Sequence, residues 1–95
     1  MKLVFTPLAV SDLDGILEFI AENRPLTAQA VVARLKAKCH LIASQPELGQ
    51  RRPEFPGDYR SFPAERWVIF YRILEDTVQI HRVLDGSRDF DSLFG

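Results

Sequence analysis

Helical patterns in the first half of this sequence are cleanly separated from strand patterns in its second half, and this separation restricts the possible folds more than any other feature. An apolar stripe with helical spacing runs from Leu13 to Ile20, downstream of Thr6-Pro7, a pair that favours a helix start. A second helical pattern extends from about Thr27 to Ser44, after a break at Pro25. Because so few residues separate the two patterns, they predict an antiparallel helical hairpin.

Strand patterns follow the helices at residues 59–62, 67–74 and 78–84, and another precedes them at residues 2–5. The runs 67–74 and 78–84 flank a short turn, so they predict a β-hairpin. The run 67–74 is apolar on both alternating faces, which is typical of a central strand covered on both sides. Residues 46–57, with three prolines and two glycines, are predicted to form a loop. The resulting order, β-α-α-β-β-β, predicts an α+β fold in which an N-terminal strand and the helical hairpin pack on a mostly antiparallel sheet.

The length of 95 residues predicts a single domain spanning residues 1–95. No apolar run approaches the roughly 20 residues that span a bilayer, and the N-terminus lacks the pattern of a signal peptide, so the expected compartment is the cytoplasm. Cys39 has no second cysteine to pair with and is predicted to be buried. This cysteine and the two histidines are scattered, so the sequence predicts neither a metal site nor a cofactor.

Charge is distributed unevenly, although the net charge is only −1. Residues 24–72 contain nine basic and four acidic side chains, whereas the segments on either side are acidic. A protein that binds nucleic acid directly usually has a clear excess of positive charge, so the near balance disfavours that class. The middle segment is where we expect an acidic partner to bind.

Three stretches of the chain resemble the RelE/ParE superfamily of bacterial toxins, which has the same element order. The first helix of that family and the start of its second are matched by PLAVSDLDGILEFIAENRPLTAQAVV. Its loop and the two strands that follow are matched by LIASQPELGQRRPEFPGDYRSFPAERWVIFYRI. The tail of its ParE-like branch is matched by VQIHRVLDGSRDFDSLF. The joint order of these stretches, which cover nearly the whole chain, is what carries the resemblance.

The resemblance implies the toxin of a type II toxin–antitoxin system, a class linked to growth inhibition and plasmid stabilisation. Members of the ParE-like branch are associated with inhibition of DNA gyrase, and members of the RelE-like branch cut mRNA on the ribosome. The implied partners are therefore a ParD-like antitoxin, in a hetero-oligomer, and DNA gyrase. No membrane partner is implied, and nucleic acid would be met only through the antitoxin or gyrase. A member that binds its antitoxin but has lost toxicity is a further alternative.

Two positions favour the ParE-like branch over a nuclease. RNA cleavage needs groups that transfer protons and a cation that stabilises the charged phosphorane. The RelE-like nucleases resemble one another in an Arg near the start of the strand that ends in Tyr and in a Tyr or His in the tail, and the matching positions here are Val68 and Phe94. Neither side chain can transfer a proton or carry a charge. We therefore expect no catalytic residue, with ribosome-dependent mRNA cleavage as the alternative.

Eight residues are predicted to contact an antitoxin or a target. They are Arg51, Arg52, Arg60, Trp67, Tyr71, Arg82, Arg88 and Phe94.

Most of these residues also have a structural interpretation that the sequence leaves open. Arg60 could pair with an acid at the sheet edge, and Arg82 could pair with Asp85 or Asp89. Trp67 and Tyr71 fall on one strand face, where they could belong to the core or to the wall of an apolar groove. The adjacent Arg51 and Arg52 could be a solvated pair, and Arg88 with Asp89 could pin the tail. His81 is interpreted as a partly buried imidazole rather than a general base, because no nucleophile is predicted beside it.

Overall fold

The computed structural model describes residues 1–87 and 90, which form two helices and one five-stranded sheet. The helices are α1 (Pro7–Ala21) and α2 (Pro25–Ser44). The strands are β1 (Lys2–Phe5), β2 (Gln50–Arg51), β3 (Arg60–Ala64), β4 (Trp67–Leu74) and β5 (Thr77–Asp85). They are arranged in the order β1-β5-β4-β3-β2, with β1 parallel to β5 and the other neighbours antiparallel. The predicted α+β class is confirmed.

Helix α1 begins where the sequence predicts because Thr6 caps it. The Thr6 hydroxyl accepts a hydrogen bond from the Ala9 N–H at 3.1 Å and donates one to the His81 carbonyl at 2.7 Å, which ties the start of the helix to β5. Helix α2 begins at Pro25, earlier than the predicted start near Thr27. A proline fits the first helical turn because its φ is already helical and its missing N–H needs no partner there, so Pro25 ends one segment and starts the next.

The larger core lies between the helices and one face of the sheet. Leu35 of α2 and Ile69 of β4 are fully buried in it, and Cys39 is buried as predicted, with the pKa of its thiol raised to about 12 by burial. Leu13 of α1 is also buried, whereas Leu17 from the same predicted stripe is only half-buried. The apolar spacing therefore identifies the buried side of α1 correctly, but it predicts a wider buried surface than the helix has.

A smaller apolar cluster covers the opposite face of the sheet. Phe70 and Leu84 are buried there, and Phe55, Val68 and Phe90 pack against them. Strand β4 thus has apolar neighbours on both faces, as its sequence predicts. Neither helix within the described ranges could span a lipid bilayer.

Three details of the sheet depart from the sequence prediction. The predicted loop contains β2, which pairs with Arg60 and Ser61 and is too short to show an alternating pattern. Strand β3 extends to Ala64 rather than ending near residue 62, and it includes Pro63 beyond the reach of β2, where β3 is an edge and a missing N–H costs little. A register shift between Phe70 and Tyr71 disturbs the pairing of β4 with β5.

Candidate protein-binding site

Strand β5 is longer than its neighbour β1, and this difference leaves part of its outer edge open. Strand β1 pairs with β5 only from Thr77 to Ile80, whereas β5 continues to Asp85. Among the residues that the structure describes, no strand lies beside this last stretch. Instead, the carboxylate of Asp12 on α1 accepts a hydrogen bond from the Val83 N–H at 2.9 Å. The Asp12 side chain thus accepts a main-chain hydrogen bond that the carbonyl of a neighbouring strand would otherwise accept.

The same carboxylate binds Arg82 in a partly buried, bidentate ion pair. Arg82 donates from Nε at 2.8 Å and from Nη2 at 2.9 Å, and both side chains are largely covered. These hydrogen bonds raise the pKa of the Arg82 guanidinium, against the opposing effect of burial. Of the two partners predicted for Arg82, Asp85 pairs with Arg66 instead, and Asp89 lies outside the described residues. The pairing with α1 joins positions far apart in the chain, which no local pattern reveals.

An open groove of about 350 Å³ lies between α1 and the ends of β4 and β5. Ile16, Trp67 and Val83 form its apolar part, and Phe19 lines it with 65% of its surface exposed. A Cβ placed on Gly15 would meet nothing within 4 Å, so the helix surface here is not covered by its own chain. Exposed aromatic area beside an open strand edge is a typical feature of a protein-binding surface.

Ion pairs form the rim of this groove. Arg66 donates two hydrogen bonds to Asp85 Oδ2, at 2.6 Å and 3.0 Å, and its guanidinium lies 5.5 Å from the Trp67 ring centroid. Hydrogen bonds from the main chain and hydroxyl of Ser87, together with Arg66, lower the pKa of Asp85 to about 2. The groove therefore combines an apolar floor with a polar rim whose charges are already paired, an arrangement common at protein interfaces.

Two predicted contact residues instead organise the loop that follows α2. Tyr71 is fully buried, and its hydroxyl donates to the Pro46 carbonyl at 2.6 Å and accepts from the Gly49 N–H at 2.8 Å. Burial raises the pKa of this phenol. Arg60 donates to the Gly49 carbonyl at 2.9 Å, so its partner is a main-chain oxygen rather than the expected carboxylate. Tyr71 is therefore not placed to meet a partner unless this loop moves, whereas Arg60 is half-buried and bonds the loop through Nη1.

The remaining predicted residues are dispersed. Trp67 is 8% exposed and forms part of the groove wall, and Arg82 lies next to that groove. Arg51 is exposed at the far edge of the sheet, whereas Arg52 is half-buried on the face away from the helices, so the two are not a solvated pair. Arg88 and Phe94 lie outside the described residues. The structure thus brings together Trp67 and Arg82 but not the whole predicted set.

Sequence reasoning missed Asp12, Phe19 and Arg66 as parts of this site. Phe19 did carry a signal, because it is an aromatic residue that lies outside the apolar stripe of its helix. Asp12 carried none, since an acidic residue on a helix is ordinarily solvated. Its role depends on β1 being shorter than β5, which only the sheet pairing shows.

Titratable side chains on the sheet face away from the helices are stacked together. The Tyr59 and His81 rings have centroids 5.0 Å apart, and the Arg72 guanidinium lies 5.2 Å from the Tyr59 centroid. Arg72 also donates to the Gln79 side chain at 3.0 Å. Tyr59 is buried, and so is the Nε2 atom of His81. Val68, one of the two positions that favoured the ParE-like branch, packs in the apolar cluster of this same face.

Comparison with known proteins gives matches across nearly the whole chain. The family described as "ParE toxin of type II toxin-antitoxin system, parDE" matches residues 3–90. The chain is similar to Toxin ParE3 of Caulobacter vibrioides, with 27% identity over 95 residues that cover 99% of this chain and 95% of the relative. It is also similar to Toxin RelE2 of that organism, with 30% identity over 87 residues that cover 92% and 97%. A chain in the solved structure titled "Chromosomal ParDE TA system from P. aeruginosa" has a TM-score of 0.78 at 26% identity, over 90% of this chain and 95% of its own length.

Proposed function

Because this chain belongs to the ParE toxin family of type II toxin–antitoxin systems, we propose that it inhibits DNA gyrase by binding and is itself neutralised by a ParD-like antitoxin. The RelE/ParE resemblance and its ParE-like branch are confirmed by the family match and by the similarity to Toxin ParE3. The observation that carries the proposal is the apolar groove beside the open edge of β5. The proposed compartment is the cytoplasm, where gyrase acts.

The groove and the β5 edge together suit an extended antitoxin segment. Main-chain groups of alternate strand residues point the same way, so those of Asp85 face the same open edge as those of Val83. A partner strand could bond there while inserting an apolar side chain above Ile16 and Trp67. Strand addition of this kind obtains affinity from the main chain and specificity from the pocket, which suits a toxin with one cognate partner.

The sheet face away from the helices supports action by binding rather than by cleavage. A general acid or base must reach the reacting atom within hydrogen-bond distance. Tyr59 is buried and so is the Nε2 atom of His81, which disfavours proton transfer from either of them to an RNA substrate. Ribosome-dependent mRNA cleavage, the alternative favoured by the similarity to Toxin RelE2, remains the competing outcome of the test below.

The antitoxin site is tested with one substitution in the groove and one outside it. Phe19→Asp places a charge on the exposed wall of the groove, and Leu26→Asp makes the same change at a leucine that is 83% exposed on α2. We expect Phe19→Asp to weaken binding of the antitoxin encoded beside the gene by at least about tenfold, and Leu26→Asp to leave the Kd unchanged, as measured by calorimetry. Equal Kd values for the two variants would exclude the groove.

Toxicity is tested by inducing the protein in bacteria and following growth, plasmid supercoiling and mRNA integrity in parallel. Gyrase inhibition predicts growth arrest with loss of negative supercoiling and intact mRNA. Ribosome-dependent mRNA cuts with normal supercoiling would replace this proposal by the nuclease alternative. Normal growth together with tight antitoxin binding would identify a member that has lost toxicity.

A further inference from the structure

Arg52 lies among three aromatic rings on the sheet face away from the helices. Its guanidinium carbon is 5.3 Å from the ring centroid of Phe55, 5.7 Å from that of Phe70 and 5.9 Å from that of Phe90. Each distance is within the roughly 6 Å over which an aromatic ring attracts a cation. Phe55 belongs to the loop after β2, Phe70 to β4 and Phe90 to the C-terminal segment, so one cation contacts three separate parts of the chain.

Hydrogen bonds fix the orientation of this guanidinium. Nε donates to the Glu54 carboxylate at 2.8 Å, and Nη1 donates to the Ser61 hydroxyl at 3.1 Å. The Arg52 main chain is held as well, because its N–H donates to the Tyr59 carbonyl at 2.9 Å. With only 21% of its surface exposed, the side chain is not available as a free surface cation. A planar guanidinium bonded at two of its nitrogens has little freedom to leave the rings.

The rings also contact one another, with Phe70 at the centre. Phe90 meets Phe70 edge to face at a centroid distance of 4.8 Å, and Phe55 does so at 6.0 Å. Phe70 is fully buried in β4 and provides the fixed wall against which the other two rings rest. Aromatic pairs in this geometry contribute about 0.5–1.5 kcal/mol beyond their buried area in general. We call Arg52, Phe55, Phe70 and Phe90 the aromatic clamp.

We propose that Arg52 is a positioning residue that holds Phe90 against β4. The loop after β2 and the Phe90 ring are thereby coupled through one cation. This proposal rests on the proposed function only where it concerns toxicity: if Phe90 contacts the target, Arg52 acts by placing that ring rather than by touching the target. Arg51, which is exposed next to it, has no such role in the clamp.

A double-mutant cycle in the full-length protein tests the coupling. The variants are Arg52→Gln, Phe90→Leu and the double substitution, each unfolded in urea to give its unfolding equilibrium constant. We expect the two substitutions to be coupled by about 2- to 30-fold, the range of a cation on an aromatic ring. The control cycle replaces Arg52→Gln by Arg51→Gln, for which the coupling factor should be about 1. A factor for Arg52 no larger than that of the control would overturn the proposal.

Position is read independently from nuclear Overhauser effects between the Phe70 and Phe90 rings. These should persist in Arg51→Gln, vanish in Arg52→Gln and return at least in part in Arg52→Lys, which restores the cation. Unchanged effects in a folded Arg52→Gln variant would show that Phe90 needs no cation and would overturn the proposal.

The toxicity measurement separates this proposal from the proposed function. Arg52→Gln and Phe90→Leu should reduce growth inhibition alike, and the double variant should be no weaker than either. If the wild-type protein leaves gyrase active, the proposed function fails, while the urea cycle still decides the clamp. If gyrase is inhibited equally by wild type and Arg52→Gln while the cycle shows coupling, the clamp is upheld as a structural device and its part in target binding is rejected.

Discussion

Three of the arginines that were predicted to contact a partner instead form hydrogen bonds with oxygen atoms of their own chain. Arg60 binds the Gly49 carbonyl, Arg82 binds Asp12, and Arg52 binds Glu54 and Ser61. A long, flexible side chain reaches partners on other elements, so its hydrogen-bond partner depends on the tertiary arrangement and not on its sequence neighbours. Trp67 was predictable as core or groove wall because an aromatic residue in a central strand has few other environments.

Asp85 gives this protein a specific sensitivity to acid. Its pKa falls from 3.8 to about 2 on folding, because Ser87 and Arg66 stabilise the carboxylate. A lowered pKa means that the contribution to stability is complete above about 3.8 and is lost as the pH falls towards 2. We therefore expect stability to decrease through this window, and Asp85→Asn to remove that part of the decrease.

Urea unfolding of both proteins at several pH values between 2 and 5 measures this effect, since those values bracket the shift from 3.8 to about 2. The difference in unfolding free energy between wild type and variant should shrink as the pH is lowered. Added salt should reduce the difference as well, because this pair is near the surface and is screened. A difference that stays constant with pH would mean that Asp85 does not contribute through its charge.

Elements bounded by clear local signals were predicted accurately. The structure confirms the limits of β1, which ends at the Thr6 cap of α1, and those of β4, which ends at a short turn. Strand β2 was missed because two residues cannot show a period, and the register shift at Phe70 was missed because it depends on pairing between strands. The open edge of β5 follows from the different lengths of two paired strands, so it is equally invisible in a single sequence.

The loop between α2 and β2 is tightly packed against β4, and Gly49 is the position that allows it. A Cβ on this glycine would lie 2.5 Å from the Tyr71 hydroxyl oxygen, closer than Cβ atoms come to neighbouring heavy atoms in proteins. Because Tyr71 is fully buried, it has no space to withdraw. We expect Gly49→Ala to lower the unfolding free energy by about 1–3 kcal/mol, the usual cost of overpacking a core.

Gly15→Ala is the matched control for that prediction. Gly15 lies within α1 with open space around it, so alanine should stabilise the helix by about 1 kcal/mol. Urea denaturation of the two variants should move their midpoints in opposite directions. Equal shifts of the same sign would mean that contact with Tyr71 does not limit the loop.

Across the whole molecule, the two faces of the sheet differ in how completely they are covered. The helices close one face except at the groove beside α1, while the aromatic clamp and the Tyr59 stack occupy the other. The groove therefore combines exposed aromatic area with a stretch of β5 edge beside which no strand lies among the described residues, and the opposite face offers mainly residues that already contact one another. This asymmetry is the reason to expect the antitoxin at the groove rather than on the other face, where Phe90 already packs against Phe70.

Hydrogen exchange in the free and antitoxin-bound protein tests that assignment for the whole surface at once. The Val83 amide is bonded to Asp12 already, so its exchange should slow only moderately on binding. The Asp85 amide faces the same open edge, and an added strand should slow its exchange by about tenfold or more. Amides at the exposed start of α2, around Leu26, should keep their rates and serve as the internal control. Protection that appears around Leu26 while Asp85 exchanges freely would place the antitoxin on the helical hairpin instead of the β5 edge.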